Sequence, residues 1–236
     1  VIMGEVTSQI KLVSAEVCPF AQRSRLTLLE KELSFELVEI NLDNKPDWFT
    51  NVSPYSKVPV LLHGDTTIYE STVINEYLDE IAPEPNLLPK SPQQRAHARI
   101  WIDFDNSRIV PLFYKVLLAQ DAQTQTELKL RMIDALCHLE RAGFPGCETG
   151  PFWFGSKVSL VDIAMYPHFE RFNVLKRYRD IEIPDDCVKI HSWLEAMKAL
   201  PSVQQTEKGG DYHIKAYETY AEATASGTTA KDMQIL

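Results

Sequence analysis

Cys18 stands directly before a proline in Ser14-Ala15-Glu16-Val17-Cys18-Pro19-Phe20-Ala21-Gln22-Arg23-Ser24-Arg25. Proline suits the first position of a helix, because the N–H it lacks is one that a helix start leaves unpaired anyway. Before the motif, Gln9-Ile10-Lys11-Leu12-Val13 alternates polar and apolar side chains as a half-buried strand does. After it, Leu26, Leu28 and Leu29 recur at helical spacing. Cys18 is therefore predicted at the N-cap of a helix that follows a strand, where the positive end of the helix dipole favours an anion. A thiol there loses its proton more readily than a free cysteine, and the thiolate is the nucleophile. The alternative is a cysteine that is only a small buried hydrophobe. Three places on stands Ala21, so the motif carries no resolving thiol, and a disulfide formed by Cys18 is with another molecule.

Other chemistry-bearing residues are sparse. Cys137, Cys147 and Cys187 follow no repeated spacing, which argues against structural disulfides, and Cys137-His138 with Cys147 fits no familiar zinc pattern. No metal is expected. Ser159-Leu160-Val161-Asp162 reads as a capping box, an acid placed to reach back to the cap N–H. The net charge of −9 opposes non-specific binding to nucleic acid or to anionic membranes, because both need a cationic surface. No apolar run approaches the length of a membrane span, and Val1 to Glu5 lacks a leader pattern, so a cytoplasmic protein is expected.

The elements that must position Cys18 can be read in order. Phe35 to Ile40 is a second strand, and a short helix is predicted after the turn around Asn44 and Pro46. Lys57 to Leu62 and Thr66 to Tyr69, separated by His63-Gly64-Asp65, read as a hairpin. Pro59 is compatible with it only at the start of the strand, or on an edge, because proline donates nothing to the ladder. Ser71 is the predicted N-cap of a helix over 72–81, and its N-terminus is an anion site. Pro83, Pro85, Pro89 and Pro92 then mark a boundary. This assigns residues 1–84 to an α/β domain, 85–92 to a linker and 93–236 to an all-helical domain. In the second part Pro111 is predicted to kink a long helix, Pro151 to Gly155 to be core, and 221–236 to be loosely held.

Cys18 to Arg23 (C-P-F-A-Q-R), Asn44 to Phe49, Lys57 to Val60 and Tyr69 to Ser71 together resemble the cysteine-type glutathione transferases, most closely the omega class. The resemblance continues through Ser159 to Asp162, Tyr166 to Arg171 and Trp193 to Met197. It implies a thioredoxin-like N-terminal domain that binds glutathione as co-substrate and an all-α C-terminal domain that completes a pocket for small apolar or oxidised substrates. On that analogy Cys18 is the catalytic thiol and Phe20 contacts the tripeptide. Val58, ahead of a cis Pro59, pairs its backbone with the cysteinyl part. Glu70 and Ser71 hold the γ-glutamyl end, and Lys45 meets the glycyl carboxylate. Arg171 matches a substrate-pocket position, though it would serve equally in a structural ion pair. Tyr212 or Tyr217 stands where the class tends to place a tryptophan.

These readings lead to a glutathione-dependent thiol transferase and reductase that passes through a Cys18–glutathione mixed disulfide and acts on glutathionyl disulfides, including glutathionylated proteins, or on dehydroascorbate. The family analogy adds a homodimer. Two alternatives stand beside it. One is conjugation of glutathione to electrophiles, which needs a hydroxyl donor near the first strand. The other is a non-enzymatic carrier of apolar ligands.

Overall fold

The computed structural model describes residues 9–235, with side chains through residue 233. The segment from Val1 to Glu5 that was read for a leader lies outside the described residues. The chain divides into two compact units, Val1–Lys90 and Ser91–Leu236.

In the first unit a four-stranded sheet of order β2-β1-β3-β4 is built from β1 (Ile10–Ser14), β2 (Phe35–Glu39), β3 (Val60–His63) and β4 (Thr66–Tyr69). β1 and β2 are parallel, with Ile10 opposite Phe35, and the helix α1 (Pro19–Glu30) makes the crossover between them. β3 runs antiparallel to β1, with Val13 opposite Val60, and returns through Gly64, at φ 57°, into β4. Pro59 precedes β3, so the proline sits at the strand's start, and the Val58–Pro59 bond is cis. The helix α3 (Ser71–Ile81) packs on α1.

Strand alternation divides the apolar side chains between two clusters. Ile10, Leu12 and Leu61 meet Leu28, Ile74 and Leu78 of the two helices. Val13, Ala15, Val58 and Val60 meet Ala21 and Phe49, with Cys18 packed against them. Phe49 opens α2 (Phe49–Val52). Around Pro46 the chain is bent, and the expected short helix is confined to those four residues.

α1 is buried beyond its leucines: every residue from Ala21 to Leu28 is buried, polar ones included. Most of the bonds these side chains make are internal. Ser24 Oγ donates to Asn75 Oδ1 at 3.0 Å, Thr27 Oγ1 donates to the Arg23 carbonyl at 3.0 Å, and Arg25 reaches Glu39 at 3.4 Å and the Glu16 carbonyl at 3.3 Å. At the far end of α1 the Lys31 ammonium, fully buried, contacts Asp79 Oδ1 at 2.8 Å and the Pro85 carbonyl at 2.6 Å. Asp79 also accepts the Leu87 N–H at 2.8 Å and the Leu88 N–H at 3.3 Å. Residues 85–88 are thus bonded back onto α1 and α3.

The second unit is helical. α4 (Pro92–Phe104) runs through a π-helical turn (Asp105–Ile109) into α5 (Val110–Leu118). Pro111 lies in the first turn of α5, and the wide turn before it absorbs the hydrogen bond that proline cannot make, where the sequence predicted a kink. α6 (Ala122–Ala142) ends at Gly143, as its apolar stripe foretold. Trp153 is fully buried against Phe144 and Trp101, and Phe152 and Gly155 are buried with it, so the core reading holds for these three while Pro151 is exposed and Phe154 half-buried.

α7 (Leu160–Glu170) opens with the expected capping box. Its Asp162 is fully buried and accepts four hydrogen bonds: from Ser159 N–H at 2.8 Å, Ser159 Oγ at 2.6 Å, Trp153 N–H at 2.8 Å and Trp193 Nε1 at 2.9 Å. Burial outweighs these donors and pushes its carboxyl up from 3.8 to about 6. α8 (Phe172–Arg179), α9 (Val188–Lys198), α10 (Pro201–Thr206), α11 (Gly210–Ala216) and α12 (Glu218–Ala221) follow. Arg179 gathers the last carbonyls of α5, accepting neighbours being Val116 at 2.9 Å and Leu117, and reaches the Ala221 carbonyl at 2.7 Å.

The tail departs from its expectation. Residues 228–235 form α13 (Thr228–Ile235), which packs on α5 with Ala230 fully buried. Small residues read as a loose segment, but a small side chain is what lets a short helix sit close against a neighbour.

Candidate functional site

Cys18 is the N-cap of α1, with Pro19 in the first turn. A turn brings it there: the Cys18 N–H donates to the Ala15 carbonyl at 2.9 Å, and Arg25 holds the Glu16 carbonyl inside that turn. The thiol does not cap its own helix. It points to the Val58 carbonyl, with Sγ 3.8 Å from the oxygen.

Val58 is placed by the loop ahead of it. Ser53 Oγ donates to the Lys57 carbonyl at 2.8 Å and accepts the Lys57 N–H at 2.9 Å, closing the loop on itself. Ser56 takes a left-handed conformation, φ 55°, and Lys45 Nζ secures it through the Ser56 carbonyl at 2.8 Å and Oγ at 3.1 Å. Lys45 therefore stands on the loop that carries Val58, and Lys57 is exposed.

At the start of α3 the structure corrects the cap. Glu70, not Ser71, is the N-cap, and Ser71 is the first helical residue. Glu70 is exposed at φ 72°, a conformation that a non-glycine residue holds only at a cost of order 1–3 kcal/mol. The carboxylate is thereby carried out into solvent beside the helix N-terminus. Ser71 is buried, and Arg23 Nη1 donates to its Oγ at 3.4 Å while the guanidinium lies 5.0 Å from the centre of the Phe20 ring. The first unit thus brings together Cys18 with Val58 and Pro59, and Phe20 with Arg23 and Ser71. Sequence reading missed Ser53 and the link from Arg23 to Ser71. The Ser53-Pro54 turn signal was legible for the first, but nothing in local spacing marks the second.

Arg171 and Tyr212 belong to the other unit and flank one network. Arg171 is 1% exposed, contacts Glu170 at 3.7 Å and donates to the Pro167 carbonyl, so the ion pair weighed beside its pocket role is present. Glu170 also accepts His213 Nε2 at 2.9 Å, and the Tyr212 ring packs edge-on to His213, with centres 5.6 Å apart. Tyr217, the other candidate, is buried against Phe113.

A parallel pair, an antiparallel hairpin and a cysteine at the crossover helix form a thioredoxin-like unit, here followed in the chain by helices alone. Residues 12–86 match the model for the glutathione S-transferase N-terminal domain, and residues 124–196 the model for its C-terminal domain. The omega-2 glutathione S-transferase of Rattus norvegicus is 32% identical over 82% of this chain and 77% of its own. The chain belongs to the glutathione S-transferase family.

Among solved structures, a rice enzyme in complex with glutathione superposes with a TM-score of 0.81 at 26% identity, covering 93% of this chain and 99% of its own. The dehydroascorbate reductase of Chlamydomonas reinhardtii superposes at 0.76 with 26% identity, covering 90% and 98%.

Proposed function

We propose that the protein is a glutathione-dependent thiol transferase and reductase of the omega type, with Cys18 as its catalytic thiol. The observation that carries this reading is the 3.8 Å approach of Cys18 Sγ to the Val58 carbonyl. A peptide that pairs with the Val58 backbone as an added strand sets its own cysteinyl group beside that thiol. The exposed Glu70 takes the γ-glutamyl amine, and Ser71 with the N-terminus of α3 takes its carboxylate. Phe20 lines the tripeptide, and Lys45 meets the glycyl carboxylate. The first unit holds glutathione, and the helical unit supplies the second substrate's pocket through the half-buried Tyr212, with the buried Arg171 serving to hold Glu170 and so His213 beneath it.

In the reaction the Cys18 thiolate attacks the glutathionyl sulfur of a mixed disulfide. A Cys18–glutathione disulfide forms, and the other thiol leaves and takes up a proton. The thiolate of a second glutathione then attacks the bound glutathionyl sulfur, releasing glutathione disulfide and restoring Cys18. A mixed disulfide thus consumes one free glutathione per turnover, its own glutathionyl group ending as the other half of glutathione disulfide, whereas dehydroascorbate takes two electrons and two protons from two glutathione molecules. Conjugation would need a hydroxyl near β1, and Ser14 there is fully buried.

Turnover of a small mixed disulfide and of dehydroascorbate is measured with wild type and Cys18→Ser, with an electrophile conjugation run alongside. The variant is expected to lose reduction by roughly 10³-fold or more, because a serine alkoxide is not available at neutral pH. Reduction that survives in the variant, or conjugation without reduction in the wild type, overturns the assignment.

A cytoplasmic location and a homodimer complete the proposal. All four cysteines are free, as a reducing compartment keeps them, and among the described residues no helix is long and apolar enough to cross a membrane. On the first unit Val73, 54% exposed, lines a groove of about 490 Å³ together with Ile68, Thr72, Glu76, Tyr77 and Glu80, and this exposed apolar side chain supports self-association through α3.

A further inference from the structure

Two cysteines that take no part in the Cys18 chemistry lie against one another in the helical unit. Cys137 is on α6 and half-buried, whereas Cys187 is the N-cap of α9 and 1% exposed. Cys137 stands one turn before Glu140 on α6 and Cys187 two residues before Lys189 at the start of α9, and Cys137 is near enough to act on the Cys187 thiol. The meeting is held in register by Glu140, one turn further along α6. Its carboxylate accepts the Lys189 and Ile190 N–H groups, each at 3.0 Å, and its carbonyl accepts Lys189 Nζ at 2.9 Å. Glu140 thus clamps the first turn of α9 next to Cys137. Among the described residues no group of three His, Cys, Asp or Glu side chains is arranged to hold a metal ion.

We propose that Cys137 and Cys187 form a reversible disulfide, made by exchange with glutathione disulfide, that ties α6 to the start of α9. The Cys137 thiolate, at the more exposed position, attacks one sulfur of glutathione disulfide; a Cys137–glutathione disulfide forms and a glutathione thiolate leaves. That thiolate takes the Cys187 proton. The Cys187 sulfur then attacks the Cys137 sulfur, closing an S–S bond of about 2 Å and expelling the second glutathione. The two cysteines give up two electrons and two protons, and glutathione disulfide becomes two glutathione molecules. Burial pushes the Cys187 thiol up to about 11, which makes it the sulfur that closes second rather than the one that meets the oxidant. The oxidant is the product of the reaction assigned to Cys18, but the bond itself does not need Cys18.

The test uses the full chain in mixtures of glutathione and glutathione disulfide of graded poise, quenched with an alkylating agent and read by peptide mass spectrometry. The expected result is a cross-linked peptide pair containing Cys137 and Cys187. Its ratio to the dithiol should rise roughly tenfold for each ~30 mV toward oxidising poise and be lost with dithiothreitol. The same product is expected in the Cys18→Ser protein, so failure of the Cys18 assignment leaves this result untouched. In Cys187→Ser, a glutathionyl adduct on Cys137 replaces the cross-link. If both cysteines in the wild type stay alkylatable across the series, or Cys137 collects glutathione without cross-linking, the disulfide is ruled out.

Discussion

Glu70 is held at φ 72° next to the buried Ser71, and what that conformation yields is a carboxylate presented to solvent at a helix N-terminus. If that carboxylate takes the amine of glutathione, Glu70→Gln removes one charge from a charge-assisted hydrogen bond and leaves the shape. KM for glutathione should then rise about tenfold or more with kcat nearly unchanged. Steady-state kinetics at varied glutathione decide it, and an unchanged KM removes Glu70 from the site. At this scale the cysteine was legible because Pro19 marks a helix start locally, whatever the rest of the chain does. Ser71 was misjudged as the cap for a related reason. Its hydroxyl is the usual capping group, but the chain enters the helix from a left-handed residue that only tertiary contacts sustain. The donation from Arg23 to Ser71 spans 48 residues, and no periodicity encodes it.

Asp162 shows how an element start becomes a core joint. Its box with Ser159 was visible in sequence, since the spacing is local. The hydrogen bonds from Trp153 and Trp193 were not, and they tie the loop before α7 and the helix α9 to one carboxylate. Asp162→Ala leaves buried donors unpaired and is expected to cost about 3 kcal/mol or more in urea unfolding. The pH dependence has a definite sign. The carboxyl titrates near 6 in the fold against 3.8 when unfolded, so between those values the folded state binds more protons. Its contribution to stability is greatest below about 3.8 and declines as pH rises through about 6. Relative to Asp162→Asn, the wild type should therefore gain stability on acidification across that window; a relative loss would contradict the burial argument. The π-turn before Pro111 was half-legible. A proline announces a break, but whether the helix bends or widens depends on what it packs against.

At the scale of the whole chain, the change from alternating to helical periodicity near residue 90 was the most readable feature, because the two periods reflect different layers. The proposed interface was not readable, although a homodimer was expected by resemblance, since an exposed Val73 on α3 looks from sequence like part of that helix's apolar side. Val73→Glu should shift the protein from dimer to monomer in sedimentation velocity without loss of helical circular dichroism, and a monomeric wild type would dismiss the interface. The clasp of Lys31 bears on recombination. Residues that read as a Pro-rich tether are bonded up to Leu88 to the α1–α3 layer, so a gene fusion that grafts another helical unit onto this one has to cross over after Leu88. A junction placed before Pro85 would strip the Leu87 and Leu88 donors from Asp79 and the carbonyl from a fully buried ammonium, and the chimera would inherit a buried charge with half its partners gone.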